Sequence, residues 1–149
     1  MPISDVCKRN VVTVQSDTTV LEAAKLMRHH HVGDVVVVIN ENGLTTPVGI
    51  VTDRDIVVEV LATGLDAAVI TVGDIAVSTL AVVSENNGVL ETFQAMADEG
   101  VRRMPVISVD GALVGIVTLD DLLLLLGREF DAIPSILNRE RNKEADRRH

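Results

Sequence analysis

Apolar runs and polar breaks alternate along the chain in one order, and that order occurs twice. In the first block a short apolar stretch, Val11 to Val14, leads into the polar residues Gln15 to Thr18. Val20, Ala23, Ala24 and Met27 then recur at helical spacing, which predicts an amphipathic helix with one buried face. Thr19, followed three residues later by Glu22, forms a capping box at its start. The run Val35 to Ile39 predicts a strand, Gly43 a turn, and Val48 to Val51 a strand feeding a second helix. The second block follows suit: Leu80 to Val83, a helix with Val89, Phe93, Met96 and Ala97 on one face, Met104 to Val109, a turn at Gly111, and Leu113 to Val117. Its N-cap is Gly88, a weaker one. The second helices, Ile56 to Leu61 and Leu122 to Leu126, are apolar around almost their whole circumference, so burial that includes a partner chain is expected. Gly64 and Gly127 stand where C-terminal caps belong.

The duplication extends to individual residues. Thr19-Val20-Leu21-Glu22 through Met27 aligns with Gly88-Val89-Leu90-Glu91 through Met96, and Ser4-Asp5-Val6 aligns with Gly73-Asp74-Ile75, each 69 residues on. Gly49-Ile50-Val51-Thr52 and Asp55 return as Gly115-Ile116-Val117-Thr118 and Asp121, now 66 residues on. The three missing residues fall in one turn, between Asn40 and Pro47 in the first copy and around Asp110-Gly111 in the second. Register kept on both sides of such a gap marks two copies of one β-α-β-β-α unit. A unit of about 60 residues buries too little of its own surface to be stable alone, so the copies are expected to pack together. Strands of about five consecutive apolar residues predict sheets covered on both faces.

Two such copies, each closing in Gly-Ile-Val-Thr-x-x-Asp and the second carrying Gly100-Val101-Arg102-Arg103-Met104-Pro105-Val106-Ile107, resemble a tandem pair of CBS domains, a Bateman module. The resemblance covers roughly Ile3 to Leu126. It implies an α+β fold with the repeats packed sheet to sheet about a pseudo-twofold axis, and dimerisation into a disc. The expected boundaries are residues 1–70 for repeat 1, 71–130 for repeat 2 and 131–149 for a charged tail. It further implies clefts for adenosine-containing ligands (AMP, ADP, ATP or S-adenosylmethionine), a regulatory rather than catalytic role, and a regulated protein on another chain.

Charge narrows the partners. Thirteen basic and 22 acidic residues give −9, and the residues from Asn138 onward carry +2, leaving −11 for the rest. A body so acidic disfavours nucleic acid, and with no Trp or Tyr and two Phe there is no stacking platform for single strands. Apolar residues make up 47%, yet no run approaches the roughly 18 needed to cross a bilayer. The opening residues lack a basic start followed by an apolar stretch, so no signal peptide is read there and a cytoplasmic address is expected. The single cysteine, Cys7, forms neither an internal disulfide nor a Cys-rich zinc site.

Within this acidic chain Thr118-Leu119-Asp120-Asp121 and Arg102-Arg103 stand out. A threonine at a strand end with an aspartate three residues on caps a helix, and the same helix start is an anion site. By the resemblance Asp121 holds a ribose diol, Thr118 touches a phosphate, and Arg102 and Arg103 neutralise it. On their own residues the arginines read equally as surface charges or partners of Asp98 and Glu99. Val82, Val83 and Ile107 are the candidates for an apolar adenine slot. The first copy keeps Thr13, Val14, Thr52 and Asp55 but places Gly33-Asp34 where the second has the arginines, so its cleft is expected to be the weaker. His29, His30 and Arg54 are the candidates for restoring part of the positive charge there.

Three consecutive histidines, His29 to His31, point about 100° apart on a helix and do not converge on one ion. Ile133-Pro134-Ser135 is expected to break the chain before a tail, Arg139 to His149, that is either a solvated helix or a loose end. No phosphate-loop pattern and no His–carboxylate pair at ligand spacing occur, so neither an enzyme nor a required cofactor is expected.

Overall fold

A computed structural model describes residues 1–77 and 79–148. Each copy builds a three-stranded sheet and two helices. In the first, β1 (Thr13–Val14) is followed by α1 (Val20–His30), β2 (Asp34–Glu41), β3 (Leu44–Thr52) and α2 (Asp53–Ile56), which widens into a π turn at Val57–Leu61. After the short α3 (Val72–Ile75), the second copy repeats the order with β4 (Val83–Ser84), α4 (Val89–Glu99), β5 (Arg103–Ile107), β6 (Leu113–Thr118) and α5 (Leu119–Arg147). Both sheets run edge to edge in chain order, with a parallel first pair and an antiparallel second. The first strands shrink to two residues each because only two positions of each opening stretch pair with the next strand.

Alternation along β2 accounts for the sheet-on-sheet packing. Val35 and Val37 enter one core with Val14, Ala23, Met27, Val51 and Val72. Val36 and Val38 point the other way and meet Ile116 of the second sheet, with Val11, Ile50 and Leu113 around them. A continuous valine run therefore serves two cores at once. The fold is the expected α+β pair of repeats, packed sheet to sheet about a pseudo-twofold axis.

The two copies exchange their opening segments. Ile3 is fully buried in the core of the second copy, beside Val83, Met96, Met104 and Leu122. Its N–H donates to the Asn87 carbonyl, and that of Ser4 to Glu85. The equivalent residues Val72 and Gly73 donate to Thr18 and Ser16 in the first copy. Beyond this crossing, Lys8 and Ile116 exchange two backbone hydrogen bonds of 2.9 Å, laying the N-terminal arm along β6.

Helix starts follow the sequence closely. Thr19 and Glu22 make the capping box, as do Thr52 with Asp55 and Thr71 with Asp74. Hydrogen bonds from the Thr71 backbone and hydroxyl hold the Asp74 carboxyl below its ordinary range. Gly88 caps α4 without a side-chain bond, and Gly64 takes a positive φ after the second helix of the first copy.

Helix ends depart from expectation at one place. Gly127 is not a cap: α5 runs through it and through Pro134 to Arg147, so Ile133-Pro134-Ser135 does not break the chain. From Gly127 onward every described residue of α5 is exposed, so water can satisfy the carbonyl that loses its partner at Pro134. The tail is helix as far as described; His149 lies outside the described residues. The apolar second helices are buried within the chain only along one line, at Val60 and Leu122, while Val57, Val58, Leu61, Leu123 and Leu124 stay exposed. Among the described residues no helix is long and apolar enough to cross a membrane.

Candidate functional site

The exchanged arm and the two helix starts enclose a cleft of about 590 Å³, within the range usual for small-molecule sites. Thr118 ends β6 and caps α5, its hydroxyl accepting the Asp121 N–H at 3.1 Å. Arg103 opens β5 and pairs with Thr118 in the ladder, while the Arg102 carbonyl accepts the Leu119 N–H at 2.7 Å. Two antiparallel strands and one helix start thereby bring Arg102, Arg103, Thr118 and Asp121 onto one wall. Lys8 and Asn10 arrive from the arm, and His31, Gly33, Asp34 and Arg54 from the first copy.

Four permanent cations meet three carboxylates here, an inversion of charge on a chain of net −9. Arg103 bonds Asp34, with side-chain exposures of 32% and 15%. Arg102 reaches Asp120 at 3.1 Å in an exposed pair. Neither arginine pairs with Asp98 or Glu99; Asp98 instead accepts from Gln94. Asp34 is thus neutralised by Arg103 rather than left as a bare charge.

Asp121 and Asp55, matching residues of the two copies, have different partners. The Asp55 carboxylate accepts the Thr52 N–H at 2.9 Å and closes its capping box. Asp121 does not close one. Its Oδ1 lies 3.4 Å from Lys8 Nζ, and its Oδ2 is buried with no hydrogen-bond partner. That oxygen is therefore free to accept a hydrogen bond from a donor placed in the cleft. Asp55→Ala, by contrast, is expected to cost only the cap, about 1 kcal/mol, read by urea unfolding.

The remaining sequence candidates are placed elsewhere. Thr52 and Asp55 cap α2 and do not line the cleft, although their neighbour Arg54 does. Thr13 and Val14 edge a separate open groove along α1 with Lys25, Leu26 and His29. Val83 is 2% exposed and belongs to the second core, so its side chain does not reach the cleft. Val82 lies just ahead of β4, and Ile107 at the far end of β5 opposite Ser84; neither lines the cleft. Ile116 and Val32 supply the apolar wall instead. Of the histidines, His31 turns into the cleft with φ +54° as the cap of α1, while His29 and His30 stack edge to face, 4.9 Å apart.

Lys8 and Asn10 were missed from sequence. The match of Ser4-Asp5-Val6 to Gly73-Asp74-Ile75 was the signal, but it marks where a repeat starts and not that the starts cross over. Cys7, on the same arm, has its thiol pushed up by burial, against the pull of nearby Arg9. Among the described residues no three His, Cys, Asp or Glu side chains are grouped to hold a metal ion.

Comparison with known proteins adds to this geometry. The CBS domain matches twice, at residues 3–62 and 72–128. Hypoxic response protein 1 of Mycobacterium tuberculosis is 37% identical over 118 residues, 79% of this chain and 80% of that protein. Its crystal structure, which has two coordinated zinc ions, superposes with a TM-score of 0.72 over 83% of this chain and 97% of that one, at 35% identity. An uncharacterised protein of Methanopyrus kandleri is 36% identical over 81% of this chain, and the match spans 60% of that longer protein. A CBS domain pair in complex with 5′-methylthioadenosine and S-adenosyl-L-methionine superposes with a TM-score of 0.75 at 26% identity, covering 87% of this chain and 98% of the other.

Proposed function

Because this chain belongs to the CBS domain family and carries the domain twice, we propose that it is a regulatory module that binds an adenosyl ligand in the Thr118–Asp121 cleft and reports it to a protein on another chain. The observation that carries this reading is the orphaned Asp121 Oδ2 in a cation-lined cleft. A ribose diol suits this carboxylate, since each hydroxyl donates one hydrogen bond. Thr118, Arg102 and Lys8 then face an anionic end, and Ile116 and Val32 flank the base. The complex of one similar CBS pair with 5′-methylthioadenosine and S-adenosyl-L-methionine supports the ligand class. The matching site of the first copy is expected to be the weaker one, because its Asp55 carboxylate already accepts from its own backbone.

Ligand binding acts by favouring one arrangement of repeats or subunits over another. The exposed apolar residues Val57, Val58, Leu61, Leu123 and Leu124 form the homodimer face, and the module works in the cytoplasm with neither catalysis nor a required cofactor. Thermal unfolding with AMP, ATP and S-adenosylmethionine tests the reading. A ligand at 100 times its dissociation constant adds about 2.7 kcal/mol of stability. A flat response to all three would leave a ligand-free scaffold as the function.

Arg102 is exposed and tethered to an exposed carboxylate, so its contribution is screened by water. Arg102→Ala is expected to weaken AMP binding about 3- to 10-fold, or about 0.7–1.4 kcal/mol, as read by calorimetry.

A further inference from the structure

Asp34 and Arg103 occupy the same position in the two copies, each opposite the threonine that caps its own second helix: Asp34 pairs with Thr52, and Arg103 with Thr118. Between the copies the Arg103 guanidinium donates to the Asp34 carboxylate, and both line the cleft. The pair is mostly shielded from solvent, so salt and water screen it less than an exposed pair.

Resting on the assignment of this cleft to an adenosyl ligand, we propose that Asp34 is the specificity-determining residue that limits how much negative charge the cleft accepts. The carboxylate is a built-in anion on Arg103. A phosphate that reaches this guanidinium must share it with Asp34 or displace it. Either way its charge lies a few ångströms from a fixed carboxylate, and the repulsion grows with each added phosphate charge. An uncharged nucleoside escapes it. Asp120 stands in the same relation to Arg102, but that pair is solvent-exposed, and its side chains can swing aside at little cost. The ligands favoured are therefore adenosyl compounds with no more than one phosphate, and those disfavoured are di- and triphosphates.

Calorimetry with adenosine, AMP, ATP and inorganic pyrophosphate tests this on the wild-type chain, on Asp34→Asn and on the double variant Asp34→Asn/Arg103→Gln. Asparagine keeps the size and an oxygen that accepts from Arg103; Asp34→Ser serves as a second variant should unfolding curves show the first to be misfolded. Pyrophosphate and ATP are expected to bind Asp34→Asn about tenfold more tightly than wild type, equivalent to about 1.4 kcal/mol. AMP should gain less, and adenosine less than twofold. The gain should vanish in the double variant and shrink as salt is added. Pyrophosphate and ATP affinities that stay level or fall in Asp34→Asn would overturn the proposal, as would a gain that survives loss of Arg103 or an absence of pyrophosphate binding to Asp34→Asn. Should adenosine and AMP fail to bind while pyrophosphate still gains from Asp34→Asn, the adenosyl assignment falls and the role of Asp34 stands.

Discussion

Replacing Gly115 by alanine is expected to destabilise the protein by about 3 kcal/mol, combining overpacking strain with loss of a backbone bond pair. A Cβ at this position would lie 2.6 Å from the Lys8 carbonyl oxygen and 2.8 Å from the Cys7 sulfur. Backbone cannot yield as a flexible side chain does, so the arm has to lift off β6. The two hydrogen bonds between Lys8 and Ile116 then break, and Lys8 and Asn10 leave the cleft. Gly49 is the equivalent glycine of the first copy, and there the added carbon meets side chains and no backbone, the Ala76 methyl at 3.1 Å and Val37 at 3.5 Å. Gly49→Ala is therefore the internal control, with a loss well under half as large. Urea unfolding of both variants reads the difference. Equal losses would contradict the arm-on-strand packing.

Asp121→Ala is expected to weaken adenosyl-ligand binding about 100-fold, the loss of two charge-assisted hydrogen bonds worth about 1.5 kcal/mol each. Stability should move the other way. The Asp121 carboxylate does not close a capping box, and removing it also removes a buried oxygen without a partner. The unliganded variant should therefore be as stable as wild type, or more so. A purely structural Asp121 makes the opposite pair of predictions: a loss of about 1 kcal/mol of stability and unchanged affinity. Measuring binding and unfolding on one preparation separates the two roles.

The repeat, the order of elements and most helix starts were legible in the sequence because they rest on local rules. Thr19 with Glu22 and Thr52 with Asp55 need only their own turn to satisfy each other. The valine run of β2 announced a strand buried on both faces, as Val35 and Val36 confirm on opposite sides. What was not legible depends on relations between copies. Pairing of Arg103 with Asp34 joins residues 69 positions apart, and nothing in either neighbourhood specifies it. The same holds for Lys8, which reaches the cleft only because the opening segments exchange. That Val83 belongs to the second core was hidden for a simpler reason. Its neighbours fix the strand but not which face the side chain takes, and a strand of two residues gives no alternation to read. Gly127 and Pro134 failed as helix stops because both act through context. Glycine ends a helix when it adopts positive φ, which Gly64 and Gly100 do and Gly127 does not.

That matching aspartates have different partners is the least expected part of the account. Thr52 and Thr118 cap their helices alike, yet Asp55 turns back to the chain and Asp121 turns to Lys8 and the cleft. One copy satisfies its carboxylate on its own backbone, and the other leaves an oxygen unpaired beside the cleft. In the proposed function this Asp121 carboxylate grips a sugar.

A crystal structure of the chain grown with 5′-methylthioadenosine or AMP measures this directly. Both ribose hydroxyls are expected within hydrogen-bond distance of the Asp121 carboxylate, about 2.5–3.0 Å, with the base against Ile116. A ligand bound with its ribose away from Asp121, or a cleft closed over by the protein's own side chains at saturating ligand, would contradict it.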